Sequence, residues 1–462
     1  METANNLIIN RMLFLKSRKA IMLIILSGIA LRLGFFAVIK PWQDDFINKK
    51  IIMVDSGAYH SFALSILNTR SFSHTGTYRT PGYPLFLALV YFLFGARPWV
   101  VIFLQIFIGA ATIGLVYLWT KEWFNEGTAL FAALLYAIEP HVIVYGGCLL
   151  TETLFVFILL LSVLAWHKGF KTGRTALLAG SALFAGYLAL IKPIAMLLPV
   201  ILVPLSFVYN SAAIRYKLKA NLLFLVIFFI TMSAWMCKNY AQYGHYSLTH
   251  INGYNLLFVS AAFTEVARTG KTYLEVCKEF DAIARAKGAY DTTDLFKQSD
   301  IYTKIGLEYL NDNRTGYIKR HATGMVTLFT NLASTDAIDL LGLKGMQKKY
   351  NVYEFHNFIG MVSWYFKNKT LNEIIFGSLV SVFLICTYVL AVLGVWASFQ
   401  NRLFSVIIVN LSIAFYFCFL TGVFGVARYR LPLIPFYILF SAYGFYWLKQ
   451  RINVKYAGRD SL

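Results

Sequence analysis

The sequence predicts an all-α polytopic membrane protein: a bundle of about 10–12 transmembrane helices with an outer juxtamembrane helix and a small outer helical layer. Three observations carry this expectation. Of 462 residues, 58% are hydrophobic and only 14% charged, with a mean hydropathy of +0.61, whereas a soluble surface needs roughly a quarter charged residues. Several apolar runs approach about 20 residues, the length that crosses a hydrocarbon core. Basic residues gather in the short segments between those runs, where membrane topology uses them. The net charge of +20 therefore speaks for topology, and no nucleic-acid-binding motif accompanies it.

The elements follow in order. Arg11, Lys16, Arg18 and Lys19 precede an apolar run at 20–39 that lacks a small-residue cleavage site, so it reads as a retained first helix. Further spans read at 82–95, 98–119, 151–167, 175–191, 193–209, 220–237, 374–397, 403–422 and 431–448. The run 127–148 is interrupted by Glu139-Pro140-His141 and reads as a re-entrant or interfacial hairpin. That choice leaves sixteen bases, Arg97, Lys168 and Lys171 among them, on the cytoplasmic side against only Glu2 and Asp460. Both termini are then cytoplasmic.

Two long segments face outward, 40–81 and about 238–372. The second is too long for a connecting loop and carries helical patterns at 272–287, 293–311 and 315–332. The chain thus divides into a transmembrane catalytic module at 1–237, an outer helical domain at 238–372, and C-terminal helices with a short tail at 373–462. Of five cysteines only Cys277 lies in a polar region, so the pattern offers no disulfide within a domain and no CxxC metal site.

Candidate chemistry gathers at the outward ends. Asp55 opens an amphipathic stretch with Tyr59, Phe62, Ala63, Ile66 and Leu67 at helical spacing. It reads either as an N-cap or as a general base at the membrane boundary. Arg79 stands before Pro81-Gly82-Tyr83-Pro84. With Tyr83 it reads as an interfacial anchor or as a phosphate contact. Glu152 sits inside an apolar segment, matching a helix dipole or serving function as an intramembrane carboxylate. Residues 235–258 crowd Lys238, Asn239, His245, His250, Asn252 and Asn255, and Arg428 and Arg430 flank Tyr429 before the last span. Cations at one face, two carboxylates and apolar helices between them suit a lipid phosphate: headgroup on the cations, tail among the helices.

The order of "YRTPGYPLFLALVYFLFG", "LLTETLFVFILLL", "IKPIAMLLP", "WMCKNYAQYGHYSLTHINGYNLLF" and "ARYRLPLIPFYILFSAYGF" after Asp55 resembles the GT-C superfamily of polyprenyl-phosphate-sugar glycosyltransferases. It looks closest to the bacterial branch related to protein O-mannosyltransferase and lipid A aminoarabinose transferase. The resemblance implies that Asp55 is the base, that Arg79 contacts the lipid phosphate, and that Glu152 fills the family's acidic position opening an early helix. Lys238-Asn239-Tyr240 falls where relatives often have Arg-Asn-Tyr, while Glu139 and "DNRTGY" depart from the pattern on the acceptor side.

The implied activity is inverting transfer of a sugar from a polyprenyl monophosphate to an acceptor hydroxyl on a lipid, polysaccharide or protein. It would take place at the outer face of the plasma membrane. Tyr83, Lys238, His250, Asn252, Arg428 and Arg430 join Arg79 and Glu152 as expected substrate contacts. No cofactor is predicted, although a divalent ion shared by Asp55, Glu139 and Glu152 stays open. The alternatives are a lipid-linked oligosaccharide transporter, and a polymerase or ligase using a diphosphate-linked glycan.

Overall fold

The computed structural model describes residues 2–43, 54–69, 78–209, 213–343 and 366–457, with Phe46 and Phe72 besides. Among the described residues the chain is helical, with no strand. Among the described residues, six helices are long and apolar enough to cross a membrane, at Ser17–Ile39, Pro98–Lys121, Glu152–Thr172, Ile214–Tyr243, Leu371–Gln400 and Ala427–Asn453. The protein is a multi-pass membrane protein. In chain order its helices are α1 (Glu2–Ile39), α2 (Val54–Thr69), α3 (Gly82–Phe94), α4 (Pro98–Lys121), α5 (Glu126–Ala137), α6 (Pro140–Gly146), α7 (Glu152–Thr172) and α8 (Thr175–Ile191). The kinked α9 (Pro193–Val208) and α10 (Ile214–Tyr243) follow.

Burial ranks these helices. The span in α1 is 11% buried and that at Leu371–Gln400 is 22%, whereas α7 is 78% and Ala427–Asn453 is 72% buried. The two central helices are thus the ones whose first turns carry Glu152 and Arg428. Every span predicted from sequence is a helix, but two of the assignments change.

The first change concerns 127–148. Glu126 bonds Ser17 at the start of the α1 span and pairs with Lys121, while Gly147 packs on Phe35 and Ile39 at its finish. Helices α5 and α6 therefore run the whole depth of the bundle as one span, bent by 50°. The cause is the sequence Glu139-Pro140. Proline supplies no N–H to continue the helix, so α6 restarts with Glu139 as its N-cap, Oε2 accepting from Val142 N at 2.7 Å. The freed end of α5 is capped by Arg32, whose Nη1 donates to Ala137 O at 3.1 Å.

The second change concerns 82–95. Helix α3 lies against α2, with Tyr83 edge-on to Tyr59 and the Tyr91 hydroxyl 2.9 Å from His60 Nδ1. Just after it, Phe103 of α4 meets Phe36 near the end of α1. Helix α3 thus starts and finishes at one end of the bundle, and Arg97 lies at that end rather than with Lys168. The two reassignments offset each other, which leaves the expected direction of every later helix unchanged.

Residues 238–343 form a polar layer at the same end. A helical run from Ile251 to Thr269 is followed by α11 (Tyr273–Ala286), α12 (Leu295–Asp312) and α13 (Arg314–Thr330), close to the predicted bounds. A Thr272–Glu275 capping box starts α11 and Asp294 caps α12. The layer has its own apolar core around Leu257, Phe258, Val276, Phe280, Tyr302 and Ile305. The chain then returns as α14 (Leu371–Gln400), α15 (Phe404–Leu420) and α16 (Ile434–Ala457). Helices α14 and α16 cross so closely that a Cβ on Gly394 would lie 1.9 Å from Phe440 O, the small-residue packing that holds membrane helices together.

Candidate active site

At the layer end of the bundle a cavity of about 510 Å³ opens between the helices and the polar layer. Its apolar lining includes Ile191, Pro193, Ile194, Met196, Leu197 and Leu420, and its polar lining includes Asp55, Tyr59, Tyr78, Arg79, Glu152, Lys192, Thr249, Asn252, Asn255, Arg428 and Tyr429.

The local sequence explains how each charge arrives there. Gly82 opens α3 against the backbone of α8, where a Cβ would come within 2.6 Å of the Leu190 carbonyl carbon. Tyr187 donates to Gly82 O at 3.0 Å and Thr80 to Ile191 O at 3.2 Å. The Pro-Gly-Tyr-Pro turn therefore docks on the end of α8 and presents Arg79 to the cavity. Lys192 follows α8 in extended backbone, φ −141° and ψ 124°, as a residue before proline prefers. Its Nζ donates to Glu152 Oε1 at 2.7 Å. Arg428 and Arg430 share a 3₁₀ turn at Ala427–Leu433. At three residues per turn, positions two apart point to different sides. Arg428 enters the cavity and Arg430 turns back into the protein.

Asp55 sits between two guanidinium groups. Arg428 Nη1 donates to Oδ2 at 2.7 Å and Arg79 Nη2 donates to Oδ1. Burial pushes the Asp55 carboxyl up, but Arg428 and then Arg79 pull it down further, leaving it below its ordinary value. Arg428 Nη2 also donates to the Tyr429 hydroxyl at 2.8 Å, and Arg79 lies over the rings of Tyr78 and Tyr59 at 4.7 and 5.4 Å. Among the described residues the charged side chains lining the cavity are three cations and two carboxylates, a sign that suits an anionic ligand.

Of the residues expected from sequence, the fold brings Asp55, Arg79, Glu152, Asn252 and Arg428 to this cavity. The others lie elsewhere. Tyr83 is fully buried and donates to Gln105 Oε1 at 2.8 Å. Lys238 covers the rings of Trp235 and Tyr243 at 4.6 and 5.5 Å. Arg430 is fully buried and donates to the carbonyls of Leu328 and Phe329 at 2.9 and 2.8 Å. His250 packs near Phe296 and Tyr78, and burial pushes its imidazole down to about 4, so at neutral pH it carries no charge for a phosphate. Lys192 is the residue that sequence reasoning passed over. It stands within "IKPIAMLLP", a cation closing an apolar run at the same end as Arg79, and that placement was its signal.

Residues 78–237 match the family described as dolichyl-phosphate-mannose-protein mannosyltransferase. The Bacillus subtilis (strain 168) protein YycA, named as a candidate mannosyltransferase, is 26% identical over 159 residues, which are 34% of this chain and 22% of its own length. The archaeal oligosaccharyltransferase AglB from Archaeoglobus fulgidus, solved with an inhibitory peptide and a dolichol-phosphate, superposes with a TM-score of 0.54 and 14% identity. That superposition covers 96% of this chain and 52% of AglB. The oligosaccharyltransferase of the same organism in its apo form gives a TM-score of 0.53 at 16% identity, over 96% and 52% of the two chains. The chain thus spans about half the length of these structures and about a fifth of the curated relative. Its fold is similar to that of these membrane oligosaccharyltransferases, and residues 78–237 are similar to the mannosyltransferase family. Asp55 and Arg428 fall outside the stretch that matches the family, so they are tied to the site by geometry alone.

Proposed function

We propose that the protein is an inverting glycosyltransferase that moves one sugar from a polyprenyl monophosphate to an acceptor hydroxyl. The observation that carries this reading is Asp55 held between Arg79 and Arg428, in a cavity also lined by apolar residues. A phosphate would lie on Arg79, Arg428 and Lys192, and the first lipid units would lie along Ile194, Met196, Leu197 and Leu420. AglB, of the same fold, was solved with a dolichol-phosphate. Asp55 would take the acceptor proton as the hydroxyl oxygen attacks the anomeric carbon. The cations would stabilise charge growing on the leaving phosphate. Glu152, bonded to Lys192, keeps that ammonium aimed into the site.

Charge placement supports an orientation. Arg18, Lys19, Lys168, Lys171, Arg215, Lys217 and Arg402 lie at the end remote from the cavity, which by the positive-inside rule is cytoplasmic. The cavity then faces outward, toward the periplasm or its equivalent, and the described residues 238–343 form an outer layer beside it. The excess of cations in the cavity favours catalysis without an obligatory metal, so transfer is expected to persist in chelator.

The test uses purified protein, a panel of polyprenyl-phosphate sugars and candidate acceptors. Acceptor-dependent release of polyprenyl phosphate is expected, with inverted anomeric configuration in the product. In Asp55→Asn it is expected to fall by about 10²–10⁴-fold, the usual worth of a positioned base. Retained configuration, or wild-type rates in the variant, would overturn the proposed mechanism. Movement of intact lipid-linked sugar across vesicles with no donor consumed would instead favour a transporter.

A further inference from the structure

Resting on the donor reading above, we propose that Asp55 and the lipid phosphate compete for the Arg79–Arg428 pair. The proton that Asp55 accepts then hands both guanidinium groups to the leaving phosphate. The starting point is the geometry. Each oxygen of Asp55 accepts from a different arginine, Oδ1 from Arg79 and Oδ2 from Arg428. The other carboxylate lining the cavity, Glu152, is held by Lys192. An ionised Asp55 therefore occupies the arginine donors that a phosphate would seek, and guanidinium forks bind carboxylate and phosphate with the same planar geometry.

The charges balance through the reaction. Among the described residues, three cations and two carboxylates line the cavity with a net charge of +1, matching the single negative charge of a sugar–phosphate–lipid diester. In the transfer step the acceptor O–H bond breaks and its proton goes to Asp55. The acceptor oxygen bonds the anomeric carbon, and the bond from that carbon to the phosphate oxygen breaks with its electron pair left on the phosphate. The phosphate passes from a monoanion to a dianion while the cavity passes from +1 to +2. Base and leaving group thus exchange one pair of counter-ions in a single event, and no other residue has to move charge.

The groups facing Asp55 are Arg79, Tyr78, Lys192, Glu152, Arg428 and Tyr429 from the neighbouring segments and Tyr59 from its own helix. Of these only Arg79 and Arg428 bond its carboxylate. Three consequences follow for the bare product, polyprenyl phosphate. It binds better when Asp55 is neutral, its binding draws a proton onto Asp55, and Asp55→Asn mimics the protonated state.

The experiment measures binding of a short-chain polyprenyl phosphate to wild type, Asp55→Asn, Asp55→Ser and Arg428→Gln in nanodiscs, with the uncharged polyprenol of equal length as control. Both Asp55 variants are expected to bind the phosphate at least tenfold tighter than wild type. Arg428→Gln should bind it more weakly, and the polyprenol should bind all four proteins alike. The gap between wild type and Asp55→Asn should narrow as pH falls from 7 to 4.5. A methyl diester of the same polyprenyl phosphate, which has no second ionisation, is measured alongside, and the gap should narrow with it too if the titrating group is Asp55.

Asp55 variants that bind the phosphate no tighter than wild type, while Arg428→Gln binds it more weakly, overturn the competition and leave the donor reading standing. A gap that stays constant with pH overturns the proton transfer between them. If the phosphate binds no protein better than the polyprenol does, the donor reading fails and the competition with it.

Discussion

The cavity and the cluster around Arg430 are built from the same chemistry, and both sit in apolar surroundings. In each, a carboxylate faces a guanidinium beside a ring. They differ in access. The side chains of Asp55 and Arg428 keep 17% and 14% of their surface exposed, and they border space that a ligand can enter. Glu139, His141 and Arg430 keep at most 1%. Arg430 there spends its donors on the carbonyls of Leu328, Phe329 and Asn331 and on the His141 ring, which accepts at 2.8 Å, while His141 Nδ1 lies 2.9 Å from Glu139. The sealed cluster ties three parts together: the bend of the broken span, the end of the polar layer and the turn before the last helix. Arginines two residues apart thus divide the work, one available to a substrate and one committed to the protein.

The comparison can be broken by exchanging the two arginines for neutral residues. Arg430→Met removes the buried cation near Glu139 and leaves the Leu328 and Phe329 carbonyls without their donor, a loss expected to cost about 3–5 kcal/mol. A clear drop in the thermal unfolding midpoint in detergent is expected, and a midpoint equal to wild type would show that the cluster is not structural. Arg428→Gln should act mainly on transfer. Its midpoint should fall less than that of Arg430→Met, since Asp55 keeps Arg79, while transfer falls on the order of 10²–10³-fold, the loss expected for one charge-stabilising donor. Equal loss of stability in both variants would erase the distinction.

Smaller changes sharpen it. Glu152→Gln withdraws the partner of Lys192 without changing volume. Weaker donor binding is expected, with a stability cost of about 1–3 kcal/mol, measured as KM against unfolding midpoint. An unchanged KM would place Lys192 outside the donor site. Gly82→Ala puts a methyl 2.6 Å from the backbone of Leu190. Overpacking of this kind costs about 1–3 kcal/mol, and displacing Arg79 should lower transfer more than it lowers stability. Comparable losses in both would mean that the turn only packs.

The smallest expected effect is on pH dependence. Because folding lowers the Asp55 carboxyl below its ordinary value of 3.8, its ion pairs contribute stability above that value. The contribution is lost as pH falls through the lower, folded-state value. The free enzyme should therefore show no loss of kcat/KM attributable to Asp55 near neutral pH, with its acid limb below the ordinary carboxylate value of 3.8. An acid limb near 6 in the free enzyme would mean that the arginines do not hold Asp55.

Much of this was legible in the sequence because membrane burial imposes a strong code. Apolar runs of fixed length marked all the spans as helices. Helical patterns marked the helices of the polar layer, and charges stranded beside apolar runs pointed to Asp55, Arg79, Glu152 and Arg428. The charge count misread 82–95 and 127–148, because an apolar helix lying at one end of the bundle and one crossing it in two pieces have the same composition. Only contacts such as Gly147 on Ile39 and Glu126 on Ser17 tell them apart.

The sequence by itself determined the solvent, the helices and the set of charges at the helix ends. The tertiary structure decided which of those charges meet. Arg428 and Asp55 are 373 residues apart and 2.7 Å from one another. Lys192 reaches Glu152 because the end of α8 docks under Gly82. Arg430 is removed from the site because a 3₁₀ turn points alternate residues to different sides. The type of each side chain is a local property, but a side chain's partner is fixed by the packing of helices distant in the chain, which the residues themselves do not record.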